Sequence, residues 1–276
     1  MLFRSLRACG SIEAIEKGQT MHGHIERTGL LESDGTIGNA LVDMYAKAGL
    51  LTKAQDVFDK LPIQNVFSWN ALISGYVEYK HEEAAVECFT EMKLKGISPD
   101  AVTFVCILKA CGNLGAKNKG IEIHAEMSRK GLLENDLVLA NSLLDMYAKC
   151  GALAAAHKVF DKLPVHDIFS CNSLIAGYAQ LGEFENVFRI FDRMVGEGIT
   201  PGWITFLIVL NTCSRSGFFN KSKMYLEAMM ETYGIIPMPE HHACIVSILC
   251  RIGELDKAAT MIQKIPSCPS LITWFS

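Results

Sequence analysis

The stretch DMYAKAGLLTKAQDVFDKLP occupies residues 43–62, and a near-copy, DMYAKCGALAAAHKVFDKLP, occupies residues 145–164, an offset of 102 residues. Leu41, Met44, Tyr45 and Ala48 fall at i, i+3, i+4, i+7, one stripe of an α-helix. Gly49 follows and suits a left-handed cap. Ala54, Val57, Phe58 and Leu61 form a second stripe, and Pro62 blocks its continuation. The phrase therefore predicts helix–turn–helix, with Lys47 near the first C-terminus, where its charge is favourable.

The same two-helix pattern extends in both directions. Units end at LPIQN (61–65), GISPD (96–100), LPVHD (163–167) and GITPG (198–202). Unit lengths of 36, 31 and 35 residues make up the 102-residue offset. LRACGSIEA at 6–14 matches LKACGNLGA at 108–116, and SWNALISGY at 68–76 matches SCNSLIAGY at 170–178. A third round begins at Trp203. A single helical hairpin cannot bury its apolar stripe alone, whereas stacked hairpins bury it against their neighbours and curve into a superhelix. The periodicity predicts an all-α fold, an α-solenoid superhelix of about eight helix–turn–helix repeats.

Composition narrows the function. Of 276 residues, half are hydrophobic, and the net charge is −4. That mild balance argues against a bulk polyanion binder but leaves room for a basic stripe. Lys47, Lys53, Lys149, Lys158, Lys221 and Lys223 are candidates for such a stripe. Ten cysteines include no C-x-x-C pair, and several lie in apolar helical patterns, so buried reduced thiols are expected. No apolar run approaches the roughly 18 residues that span a bilayer, so no membrane partner is expected. MLFRSLRACG matches a later repeat and does not read as a targeting peptide.

Units near 35 residues that end in G-I-x-P-D resemble pentatricopeptide repeats. Alternation of 35-, 36- and 31-residue units resembles the P, L and S types of the plant PLS subfamily. NALVDMYAKAG and VFDKLP are S-type wording, and WNALISGY is P-type wording. On this resemblance the units are L 1–34, S 35–65, P 66–100, L 101–136, S 137–167, P 168–202, L-like 203–238 and S-like 239–270. The tail LITWFS, 271–276, looks like the opening of the extension that follows the repeats in editing factors. Both ends are accordingly expected to be cut. The resemblance also implies the right-handed turn of the superhelix.

It further implies a reader of single-stranded RNA, one base per repeat. In the family the fifth and last residues of a repeat contact the base edge, and the second residue, usually apolar, helps sandwich the base. Asn suits the fifth place because its amide both donates and accepts. The carried-over reading pairs are Asn70 with Asp100 and Asn141 with Asp167, which resemble the uracil combination, and Asn39 with Asn65, which resembles the cytosine combination. Asn172 pairs with Gly202, which departs from the pattern and suggests a pyrimidine. Phe3/Asp34, Val105/Asp136 and Leu207/Met238 are poor readers, and Ala243/Ser270 is unreadable. Thr36, Phe67, Val102, Val138, Phe169 and Ile204 take the sandwich places; Glu240 departs. The implied RNA, 5′ to 3′, is any, C, U, any, U, pyrimidine, any, any.

Bland readings stand beside these. Asn65, Asp100 and Asp167 each precede a helix, where side-chain oxygens cap free N–H groups. Gly75 and Gly177 suit close helix contact. Tyr45, Tyr76, Tyr147 and Tyr178 read as core. HAE at His124–Glu126 matches half of a zinc deaminase signature, but its P-C-x-x-C half is missing. The equivalent place in the first unit reads HGH, His22–His24. His241 and His242 are adjacent on a helix, cannot chelate one metal together, and read as exposed polar residues. No motif calls for a metal, a cofactor or catalysis.

Two functions follow. One is an organellar RNA-binding specificity factor in mitochondrion or chloroplast, placing C-to-U editing machinery with a deaminase supplied in trans. The other is a protein-binding helical scaffold like tetratricopeptide repeats, which the mild negative charge favours. The recurring Asn distinguishes them, since a scaffold has no reason for it.

Overall fold

The computed structural model describes residues 5–6, 9–10, 14–33, 35–134, 136–251 and 253–264. Among these residues there are helices and no strand. The chain forms two compact units, residues 1–150 and 151–276. The first unit holds α1 (Ile15–Arg27), α2 (Gly35–Lys47), α3 (Leu51–Asp59), α4 (Val66–Glu78), α5 (Glu82–Leu94), α6 (Ala101–Leu114), α7 (Lys117–Arg129) and α8 (Leu137–Lys149). The second holds α9 (Leu153–Lys162), α10 (Ile168–Leu181), α11 (Phe184–Gly196), α12 (Trp203–Ser216), α13 (Phe219–Glu227), α14 (Pro239–Arg251) and α15 (Leu255–Lys264). The π-helical turn Ala228–Thr232 continues α13.

Within each unit the helices make two layers. In the first, α2, α4, α6 and α8 lie side by side; α3, α5 and α7 each pack between two of them. In the second, α10, α12 and α14 form the row, with α11 and α13 behind it. This arrangement buries the stripes read from the opening phrase: Leu41, Met44, Tyr45, Ala54, Val57, Phe58 and Leu61 are all core. Ala48 is only half-buried, because it lies in the turn. Phe58 meets Trp69 of α4 edge-on at 4.5 Å between centroids, a geometry that adds to area burial.

The turn itself follows the sequence. Gly49 has φ +73°, its N–H bonds the Ala46 carbonyl, and Leu50 N–H bonds the Tyr45 carbonyl, which closes a Schellman motif. Gly75 permits close packing of α4 on α2. A Cβ there would lie 2.7 Å from Ala46 Cβ, and no side chain fits that gap.

Tyr45, Tyr147 and Tyr178 are buried, as core tyrosines should be, while Tyr76 is half-buried. Their hydroxyls reach a polar residue of the preceding hairpin. Tyr45 Oη lies 3.0 Å from His22 Nδ1, Tyr147 Oη 2.8 Å from His124 Nδ1, and Tyr178 Oη 3.0 Å from His157 Nδ1. Tyr76 Oη donates to Gln55 Oε1 at 3.2 Å. Each ring fills the core and leaves its polar end a partner at the seam between hairpins. The nine described cysteines form no disulfide, and burial pushes the Cys111 and Cys171 thiols up to about 11. No helix among the described residues is long and apolar enough to cross a membrane.

Candidate nucleic-acid interface

The first helices start where a capping residue tells them to. Asn65 Oδ1 accepts from Phe67 N–H and Ser68 N–H at 3.0 and 3.2 Å. Asp100 Oδ1 accepts from Thr103 N–H at 2.9 Å, Asp136 Oδ1 from Leu139 N–H at 3.0 Å, and Asp167 Oδ1 from Ser170 N–H at 2.8 Å. Ser68, Thr103 and Ser170 return the bond by accepting the N–H of their own capping residue, which completes capping boxes. The capping expectation for Asn65, Asp100 and Asp167 is therefore met.

Two of these caps do a second thing in the first unit. Asn65 Oδ1 also accepts from Asn39 Nδ2 at 3.2 Å. The Asp100 carboxylate accepts from Asn70 Nδ2 at 2.9 and 3.1 Å. So the last residue of one unit starts the next helix and also holds the asparagine one turn into the previous one. Burial works against ionisation of Asp100, but the Thr103 N–H and the Asn70 amide outweigh it and hold its pKa below the usual carboxylate value.

The threonines were not legible as participants. Thr103 Oγ1 donates to Asn70 Oδ1 at 2.6 Å, and Thr205 Oγ1 donates to Asn172 Oδ1 at 2.8 Å. Ser68 and Ser170, at the same place in other units, donate instead to the carbonyl of their own cap. The available signal is a hydroxyl third after Asn65, Asp100, Asp167 and Gly202. Asn70 is consequently recessed, 8% exposed, whereas Asn39, Asn141 and Asn172 are half-buried.

The residues at the expected sandwich places stand outside the core. Phe67 is 68% exposed, Val102 55%, Val138 66%, Phe169 70% and Ile204 44%; Thr36 and Glu240 are exposed too. Phe67, Val138 and Phe169 precede Asn70, Asn141 and Asn172 by three residues, hence share a helix face with them. An apolar surface beside a hydrogen-bonding amide recurs on α4, α8 and α10. That pairing suits a flat heterocycle with a polar edge.

Of the candidate lysines, Lys47, Lys149 and Lys223 pair within their own helices with Asp43, Asp145 and Glu227, at 2.8, 2.7 and 3.6 Å. Lys221 lies over the Phe188 ring at 4.1 Å, and Lys53 over Tyr45 at 5.9 Å. No group of three metal-ligating side chains occurs among the described residues. His241 corrects its expectation: it is fully buried, its Nδ1 accepts from Met238 N–H at 3.1 Å, and its Nε2 lies 2.9 Å from the Trp203 carbonyl. A polar residue at the start of an apolar helix suggests a solvated side chain, but here it ties α14 to α12. Asp34, the Phe3 place, Ser270 and the tail 271–276 lie outside the described residues.

Comparison with known proteins agrees with this architecture. The PPR repeat family matches residues 64–113 and 166–215, and the PPR repeat matches 39–66, 102–132 and 138–168. The chain belongs to the pentatricopeptide repeat family. A mitochondrial pentatricopeptide repeat-containing protein of Arabidopsis thaliana is 35% identical over 266 residues, 96% of this chain and 42% of its own. The chloroplastic pentatricopeptide repeat-containing protein CRR2 of Arabidopsis thaliana is 37% identical over 277 residues, 98% of this chain and 42% of its own. This pentatricopeptide repeat chain thus spans less than half the length of these curated relatives. Among solved structures, the repeat protein PPR10 in complex with an 18-nucleotide psaJ RNA element superposes with a TM-score of 0.63 at 23% identity, over 94% of this chain and 44% of that one. A nuclear protein-only RNase P of Arabidopsis thaliana gives 0.52 at 16% identity, over 67% and 42%. These likenesses concern the fold.

Proposed function

We propose that this chain binds single-stranded RNA sequence-specifically, with each unit delimited in the sequence facing one base and the four asparagine-bearing units reading theirs. The observation that carries the reading is the Asn70 amide, clamped by Asp100 and Thr103 one turn from an exposed Phe67. The amide offers a donor and an acceptor to a base edge, and the phenyl ring offers a stacking face. Asn39 with Asn65 repeats the pairing within the first unit, where Val138 precedes Asn141 by three residues as Phe67 precedes Asn70, and Phe169 stands in the same relation to Asn172 within the second. The RNA-bound state of PPR10 supports the partner class. The organellar names of the relatives support a mitochondrial or chloroplast site of action. C-to-U editing-site recognition, with a deaminase in trans, is the role this reading favours.

The net charge of −4 favours the competing protein-scaffold reading. Titration of labelled RNA across a salt series separates the two. An RNA reader loses affinity with salt, roughly 0.7 logarithmic units per neutralised phosphate per decade of salt, and depends on pyrimidine positions. Binding indifferent to base identity refutes the assignment.

A further inference from the structure

We propose that Thr205 is a specificity-determining residue, positioning the Asn172 amide in a unit whose last residue, Gly202, has no side chain; this rests on the RNA-reading proposal above. An amide presents its donor and acceptor in one of two orders, related by a flip. Against a base held in one place, uracil offers N3–H and O4 where cytosine offers N3 and N4–H, so the two pyrimidines demand opposite orders. An amide locked in one order discriminates, and an amide free to flip accepts both.

Asn70 is locked. An ionised carboxylate only accepts, so the Asp100 oxygens at 2.9 and 3.1 Å require Nδ2 on that side. Thr103 Oγ1, at 2.6 Å, then meets Oδ1 as a donor. At Asn172 the carboxylate is missing. Its side chain meets the Thr205 hydroxyl at 2.8 Å, which itself accepts Gly202 N–H at 3.1 Å. A hydroxyl has one proton and two lone pairs. After taking the Gly202 N–H, it still donates to Oδ1 in one amide order or accepts from Nδ2 in the other. Thr205 therefore holds the amide in place without setting its order. The unit reads uracil and cytosine alike; a purine presents the same donor and acceptor orders, but its pairing edge stands one fused ring farther from the sugar and does not fit the same held place, so the hydroxyl that holds the amide there keeps the unit a pyrimidine reader.

The test uses the full chain and the RNA 5′-ACUAUNAA-3′, with N uracil, cytosine or adenine opposite the Asn172 unit. The wild-type chain is expected to bind the U and C versions alike and to prefer both to A. Thr205→Val keeps the shape and removes the hydroxyl; the pyrimidine preference at N falls by about tenfold, the scale of one base contact, and Thr205→Ser restores it. Thr103→Val, whose asparagine keeps Asp100, changes preference at the third nucleotide by less than about threefold. Both threonines accept their own cap N–H, so a capping role alone would lower the melting temperature equally in both and leave base preference untouched. Gly202→Asp, with Thr205 intact, shifts N toward uracil by about tenfold. If Asn172→Ala abolishes the preference and Thr205→Val leaves it, the role of Thr205 is wrong while RNA reading stands. If Asn172→Ala leaves the preference unchanged, RNA reading at this unit is wrong and the proposal falls with it.

Discussion

The unit that starts at Val66 and the unit that starts at Ile168 share an exposed phenylalanine, an asparagine three residues later, and a threonine after the next cap. They differ in the cap. Asp100 clamps Asn70 through its carboxylate, while Gly202 leaves Asn172 to the Thr205 hydroxyl. They differ in the core as well: Trp69 is fully buried where the second unit has buried Cys171. The same helical phrase therefore tolerates different cores and different clamps, because stacking needs the stripe and the turn, whereas discrimination needs particular polar atoms.

The largest expected contrast is in the core. Trp69→Cys, which puts the second unit's residue in the first, should cost about 3–5 kcal/mol by chemical denaturation, since it empties the space against Phe58. Cys171→Ala should cost only about 1 kcal/mol. Equal costs would mean the two cores are not organised alike. Next comes the clamp. Asp100→Ala should cost about 1–2 kcal/mol as a lost cap and abolish base preference at the third nucleotide. Gly202→Ala should cost less, about 0.5–1 kcal/mol, because Gly202 caps its helix without a side chain.

Third are the exposed rings. Phe67→Ala and Phe169→Ala should each leave stability within about 0.5 kcal/mol, because both side chains are mostly solvent-exposed. Each should weaken RNA binding by about tenfold if the ring stacks on a base. Unchanged affinity would return the rings to ordinary surface. The smallest effect is on pH. The Asp100 pKa is depressed in the fold, so its contribution to stability is present above the unfolded value of about 4 and is lost as pH falls through the folded value. The stability gap between wild type and Asp100→Asn should hold at neutral pH and close on acidification, whereas the Gly202 unit supplies no such term. A gap that widens with acid would contradict the clamp.

Much of this was legible in the residues. The Leu41–Met44–Tyr45 and Ala54–Val57–Phe58 stripes, Gly49 and Pro62 are local signals, and local physics settles helix, turn and stop. Gly75 was legible because a small residue inside an apolar helix implies close approach. The hydroxyl bonds of Thr103 and Thr205 were not, since they depend on how adjacent hairpins stack, which no single unit encodes. Serine and threonine look alike in that place, yet Ser68 bonds its own cap carbonyl and Thr103 reaches across. The burial of His241 was hidden for the same reason: its partner carbonyl, on Trp203, lies 38 residues away in sequence.

The most direct measurement compares binding of 5′-ACUAUUAA-3′ with binding of the same RNA carrying adenine at its second, third and fifth nucleotides. Reading by Asn39, Asn70 and Asn141 gives an affinity lower by about a hundredfold for the purine RNA, three contacts of roughly 1 kcal/mol each. Equal affinity for the two RNAs would contradict base reading by these asparagines and leave a stack of helical hairpins that binds something else.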